Sequence, residues 1–196
     1  MSDECQKALI ISAARDILLS EGYDGMTMDG VAAKCGMSKK TLYRLFSSKQ
    51  AMLTEIVTQH RVAMVALPGE YDHLNVEQAL EAIFRLDISD DEDRDRLALL
   101  RLMKTESARS KEVLDILMEH AAGEGSRLLN AWMCEQCAKG ILQIDDVPLT
   151  VDILFDMIFG AIVKKTEPGC ELPAHADRKA KMRLAIKIFV NGCKPR

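Results

Sequence analysis

The sequence predicts an all-α fold, with a small N-terminal helical domain followed by a larger helical one. Three observations carry this expectation. Apolar residues recur at three- and four-residue intervals through most of the chain. Cap residues and glycine or proline stops punctuate those runs at helix-sized spacing. Residues 27–46 hold two short helical patterns joined by a tight turn, the layout of a helix-turn-helix whose second helix enters a DNA major groove.

A first helix is expected over Glu4–Glu21, closed by Gly22, with Leu9, Ala13 and Ile17 as its packing stripe. Thr27 then caps a helix that buries Val31 and Ala32. The small Ala32 sits four residues before Gly36, so two helices can approach closely at the turn. Gly36 can take a left-handed conformation at little steric cost and end that helix sharply. Met37 is an apolar turn residue free to pack inward. Ser38 is positioned as the N-cap of the second helix, its hydroxyl free to accept a backbone N–H. Leu42, Leu45 and Phe46 supply that helix's buried face, which leaves Lys39, Lys40, Thr41 and Arg44 on the other side.

The stretch Ile10–Leu53 resembles the DNA-binding domain of the TetR family of transcriptional repressors. The resemblance runs through Ala13-Ala14, Gly22-Tyr23, Thr27, Gly36, Ser38, Thr41-Leu42-Tyr43, Phe46 and Lys49. This long motif covers about the first quarter of the chain; beyond it the match is one of length and helical character. Gly30 departs from the usual polar helix former and weakens its helix by about 1 kcal/mol relative to alanine. Cys35 stands where a small alanine is common. Neither change removes a DNA-contacting group. The resemblance implies a TetR-like architecture: a helix-turn-helix domain over residues 1–50 and an effector-binding and dimerisation domain over 51–196. It also implies phosphate-backbone contacts from Thr27, Tyr43 and Lys49, and groove contacts from Ser38, Lys39, Lys40 and Thr41.

Ser48 opens a fourth helix that should run to about Ala66, where Pro68-Gly69 stops it. Asn75 with Gln78 is a capping-box signal for a fifth. Residues 87–96, DISDDEDRDR, read as a capped helix start, with Ser89 or Asp90 at the cap and acids opposing the helix dipole favourably. A seventh helix is expected over Ser110–His120. Gly123 and Gly125 allow a break before an eighth that ends near Gly140. Asp146-Val147-Pro148 starts a ninth, and Glu167–Ala176 reads as a loop before a tenth over Asp177–Val190.

The ninth helix is apolar on several faces, which requires burial on more than one side. Leu154, Phe155, Ile158 and Ile162 form one stripe; Ile153, Met157, Gly160 and Ala161 form another. A partner subunit is the economical cover, and the resemblance implies the same, since such repressors dimerise through their last long helices. The first stripe is the expected homodimer interface.

The 196 residues carry a net charge of −4, which looks wrong for a DNA binder until its distribution is read. Between Met26 and Arg61, Lys34, Lys39, Lys40, Arg44, Lys49 and Arg61 face only Asp29 and Glu55, so that stretch is +4 and the remainder −8. A local basic surface is what phosphate attraction requires. The chain begins Ser2-Asp3-Glu4 after its methionine, with no basic-then-apolar leader. Its longest strongly apolar run, Met157–Val163, is too short to span a bilayer. Six cysteines then suit free thiols in a reducing cytoplasm, with no membrane partner.

Cys134 and Cys137 form a C-x-x-C late in a predicted helix, not at a helix start after a strand, where the dipole would lower a thiol pKa. No second pair at metal-site spacing accompanies it. His60, His73, His120 and His175 are scattered, without nucleophile–base spacing or a phosphate-binding glycine loop. No cofactor and no catalytic residue is expected. Met103, Met118, Trp132 and Met133 lie in helices that similar proteins use around an effector cavity, and methionine is an adaptable pocket wall. The reading is a dimeric, ligand-responsive repressor of a palindromic double-stranded operator, taking a small apolar effector. Two alternatives stay open: a redox-sensing DNA binder triggered by Cys134 and Cys137, and a small helical enzyme.

Overall fold

The computed structural model describes residues 2–163 and 174–195, the side chains of 161–163 apart, and every regular element described is helical. In chain order these are α1 (Asp3–Gly25), α2 (Met28–Lys34), α3 (Lys39–Leu45), α4 (Lys49–Met64), α5 (Val76–Ile83), α6 (Asp90–Arg109) and α7 (Lys111–Leu117). A π-helical stretch (Met118–Gly123) follows, then α8 (Glu124–Ala138), α9 (Val147–Val163) and α10 (His175–Gly192). Among the described residues, no helix is long and apolar enough to cross a membrane. Packing divides the chain into two compact units: Met1–His60 with Leu97–Ala121, and Arg61–Arg96 with Ala122–Arg196. The boundary read from sequence at residue 50 lies in the first turn of α4. The packing boundary lies at His60 and adds Leu97–Ala121 to the N-terminal unit.

In the first unit, α1 packs on both α2 and α3. Ile10, Leu18, Met26, Val31, Leu42, Met52 and Leu53 fill its core, joined by Leu99, Met103 and Val113. Leu9 does not belong to the packing stripe of α1; it is largely exposed, and Ile10, Ala14 and Leu18 join Ala13 and Ile17 instead. The core surrounds α1 over a wider arc than one stripe covers. The expected stop at Gly22 is a kink, with φ 75° and ψ −178°, after which one further turn reaches Gly25. The positive φ at Gly22 is a conformation that favours glycine whatever the surrounding space.

The capping signals produce the expected helix starts. Ser48 Oγ accepts from Ala51 N at 3.1 Å. Asn75 and Gln78 form the reciprocal box, at 2.9 and 3.2 Å. Ser89 and Glu92 form a second box, at 3.2 and 3.0 Å. The glycines at 123 and 125 do not break the chain. α7 passes through the π-helical stretch into α8, with Gly123 in ordinary helical geometry (φ −62°, ψ −47°). The residues read as the loop before α10 lie mostly outside those described, and α10 begins at His175 rather than Asp177.

In the second unit, α9 packs on α8 and α10, and α10 on α5. Phe84 sits at the centre with no exposed surface, edge-on to Phe155 and Phe159 with both centroids at 6.0 Å; those two rings stack at 5.6 Å. The stripe expected at a dimer interface is packed within this unit. Leu154 and Ile158 are fully buried within the unit, and Phe155 is held by this aromatic cluster. With α8 and α10 both against it, α9 buries that stripe in its own chain. The side chain of Ile162 lies outside the described residues. Among the described residues, the large apolar side chains that stay exposed on α9 and α10 are Leu149, Ile153, Leu184 and Ile188.

One member of the acidic run does more than start a helix. Asp93 is 1% exposed and accepts from Arg96 Nε at 2.9 Å and from Arg178 of α10. Burial pulls the Arg96 guanidinium below its ordinary pKa, while Asp93 opposes that shift. Two buried guanidinium groups share this carboxylate. Asp93→Asn is therefore expected to lower the unfolding free energy by about 3–5 kcal/mol, read as a lower urea midpoint at unchanged slope. A loss below about 1 kcal/mol would show that solvent screens these charges as it does at a surface.

Candidate nucleic-acid interface

Two seven-residue helices build the outward surface of the first unit. α2 starts at Thr27, whose Oγ1 accepts from Gly30 N at 3.0 Å. A Cβ at position 30 would meet that same oxygen at 3.0 Å, so the glycine that weakens the helix interior leaves room for its cap. α2 ends at Cys35, and Gly36 follows with φ 66°. Nothing lies within 4 Å of a Cβ placed at Gly36, so its requirement is conformational alone. Met37 N then donates to Ala32 O at 3.0 Å, closing the turn, and the Met37 side chain packs partly against the core.

Ser38 caps α3, its Oγ accepting from Thr41 N at 3.1 Å and lying 2.9 Å from Thr41 Oγ1. Leu42 is fully buried and Phe46 nearly so, while Leu45 is partly buried against the same core. Lys39, Lys40, Tyr43 and Arg44 are exposed, and Thr41 is half-buried. The expected division of α3 into a buried and a solvent face is present.

The cations on this surface differ in their partners. Lys39 Nζ pairs with Asp29 of α2 at 2.7 Å, and that hydrogen bond holds its pKa above the ordinary lysine value. Arg44 turns toward α1, donating to both Asp3 oxygens at 2.7 and 2.9 Å and to Gln6 at 2.9 Å. Lys49, the first residue of α4, sits over the ring of Tyr23 with its ammonium 3.9 Å from the centroid. The Tyr23 hydroxyl donates to Glu112 of α7 at 2.6 Å, and Gln50 donates to the other Glu112 oxygen at 2.8 Å. Burial, then the Glu112 hydrogen bond, raises the Tyr23 pKa; the Tyr23 and Gln50 hydrogen bonds depress that of Glu112. No local pattern marks Glu112, because its partners stand 62 and 89 residues away in sequence.

The expected effector residues are divided between the two units. Met103 packs in the core of the first unit, and Met118, in the π-helical stretch, is exposed. Met133 is buried in the second unit. Trp132 lines an open cleft of about 290 Å³ in that unit, with Tyr71, Leu74, Val76, Gln136 and Ile141. Lys139 crosses its rim, pairing with Asp72 and Glu135 at 2.7 Å each. Cys134 is exposed and Cys137 half-buried, both free thiols near the end of α8. Burial raises the thiol of Cys193, and Cys137 adds to that shift.

Comparisons with known proteins agree with this geometry. Residues 10–56 match the profile of bacterial regulatory proteins of the tetR family, and residues 78–192 match that of the AefR-like transcriptional repressor C-terminal domain. The uncharacterized HTH-type transcriptional regulator YvkB of Bacillus subtilis is 22% identical over 188 residues, spanning 93% of this chain and 94% of its own. Among solved structures, a putative TetR-family regulator from Rhodococcus sp. aligns with a TM-score of 0.76 at 17% identity, covering 97% of this chain and 100% of its own. The flavonoid-responsive regulator FrrA aligns with a TM-score of 0.67 at 22% identity, covering 98% and 99%. With more than half of its length inside one of these profiles, the chain belongs to the TetR family of transcriptional regulators, with a C-terminal domain of the AefR-like kind.

Proposed function

We propose that this regulator is a homodimeric repressor that binds a two-fold symmetric DNA operator and is released by a small, largely apolar effector. The observation that carries the DNA-binding half is the outer face of α3, where Lys39, Lys40 and Tyr43 stand in solvent while Leu42 and Phe46 fix the helix from beneath. Ser38, Lys39, Lys40 and Thr41 reach base edges; Thr27, Tyr43 and Lys49 contact phosphates. Lys39 exchanges Asp29 for the DNA as it enters the groove.

Dimerisation uses α9 and α10, but through the faces their own chain leaves bare. Leu149, Ile153, Leu184 and Ile188 are each half or more exposed on two helices packed against each other. A second copy meeting the same surface covers both sets, as two-fold symmetry requires. The effector enters the cleft beside Trp132, whose size suits one or two fused rings. FrrA's description as flavonoid-responsive supports an aromatic ligand class. Effector binding favours a dimer whose two α3 helices no longer match the half-site spacing, which requires unequal effector affinity in the two states.

Three outcomes are expected. Lys49→Ala weakens binding to all duplexes and flattens the salt dependence by about one unit, whereas Lys40→Ala also narrows the gap between operator and mutated sites. Equal affinity of the wild-type protein for operator and random duplexes would defeat the repressor reading. Leu184→Glu with Ile188→Glu leaves a folded protomer that sediments as a monomer, because both side chains are already exposed in the single chain. An unchanged dimer would place the interface elsewhere. Finally, titrating apolar ring compounds should quench or shift emission from the sole tryptophan, Trp132, in step with operator release. Release without any change at Trp132 would move the effector site.

A further inference from the structure

We infer that Glu112, on α7, is a positioning residue for DNA binding: it seats the Lys49 ammonium at the phosphate-facing start of α4. Four observations within the first unit converge on this carboxylate. One oxygen takes the Tyr23 hydroxyl at 2.6 Å, and the other takes the Gln50 amide at 2.8 Å. The ring that Tyr23 thereby holds in place is the one under the Lys49 ammonium, 3.9 Å away. Lys49 also acts directly on Glu112, adding to the stabilisation of its charged form.

The arrangement answers an electrostatic problem. A cation in the first turn of a helix faces the positive end of the dipole, an unfavourable place. Lys49 occupies such a place and must stay charged to meet a phosphate. An aromatic face below it and a carboxylate at that ring's hydroxyl end offset the repulsion. Glu112 itself lies in the first turn of α7, where a negative charge is favoured. Its helix is anchored by the Ser110 cap and by Val113, which is fully buried in the same core. Through this link α7 is joined directly to Tyr23 and Gln50, and through the Tyr23 ring to Lys49.

The inference rests on the reading of Lys49 as a phosphate contact, and the test separates the two. The probe is a duplex enriched from a random pool by the purified full-length protein. Glu112→Ala is expected to weaken binding about tenfold, the scale of one lost charge-assisted hydrogen bond, and to flatten the salt slope as Lys49→Ala does. Glu112→Gln retains most of the affinity, because its amide can accept from Tyr23 and donate to a reoriented Gln50. Tyr23→Phe keeps the ring and the fold but frees it from Glu112, and weakens binding less than Glu112→Ala. In the Lys49→Ala background, Glu112→Ala adds less than about twofold, since the group it positions is gone.

A further tenfold loss in that background would show that Glu112 acts through something other than Lys49, and would overturn the inference while leaving the DNA reading intact. Tighter binding by Glu112→Ala would show a carboxylate competing with phosphate rather than seating the lysine. Wild-type binding that Lys49→Ala leaves unchanged would remove the premise itself.

Discussion

A helix of seven residues cannot stand alone in water. Nucleation costs more than so few hydrogen bonds return, so α3 exists because the rest of its unit holds it. Leu42 and Phe46 are that hold. Buried side chains of this size contribute about 1.5–3 kcal/mol each, comparable to the deficit of a short helix. The core they enter is shared by α1, α4 and the segment Leu97–Ala121. The presentation of Lys39, Lys40 and Tyr43 is therefore a property of the whole unit, not of the two helices that give the motif its name.

Polar groups impose a second level of order. Asp93 gathers Arg96 and Arg178 across α6 and α10, where removal of solvent makes each unpaired charge costly. Glu112 does related work at the surface, where its hydrogen bonds specify geometry more than they add stability. In both places a single carboxylate fixes side chains from distant parts of the sequence. The apolar core decides which helices meet, and these pairings decide how their polar ends are set.

What could be read from the sequence follows the range of the interactions involved. Ser38, Ser48, Asn75 with Gln78, and Ser89 act on backbone groups three residues away, so their helices were legible. The left-handed turn at Gly36 was equally local. The faces of α9 were not. Periodicity showed that both stripes are apolar, but only packing against α8 and α10 decided that Leu154 and Ile158 point inward while Ile153 stays bare. Gly123 permits a break without requiring one, and helix on either side carries the chain through. Glu112, joined to residues 62 and 89 positions away, had no local signature. The methionines of the expected pocket carried even less, since a flexible apolar side chain fits a core, a cleft or a surface equally well.

The partners of the α3 cations bear on how such a protein finds its site. Arg44 is engaged by Asp3 and Gln6, and Lys39 by Asp29. Indiscriminate attraction to a nucleic-acid chain grows with the number of cations free to displace counterions. Two of the α3 cations are thus already engaged on the protein's own surface, and a nucleic-acid chain would have to displace Asp29, Asp3 and Gln6 to use them. Under the proposed reading, a duplex that takes Lys39 into its groove must first replace Asp29 as that lysine's partner.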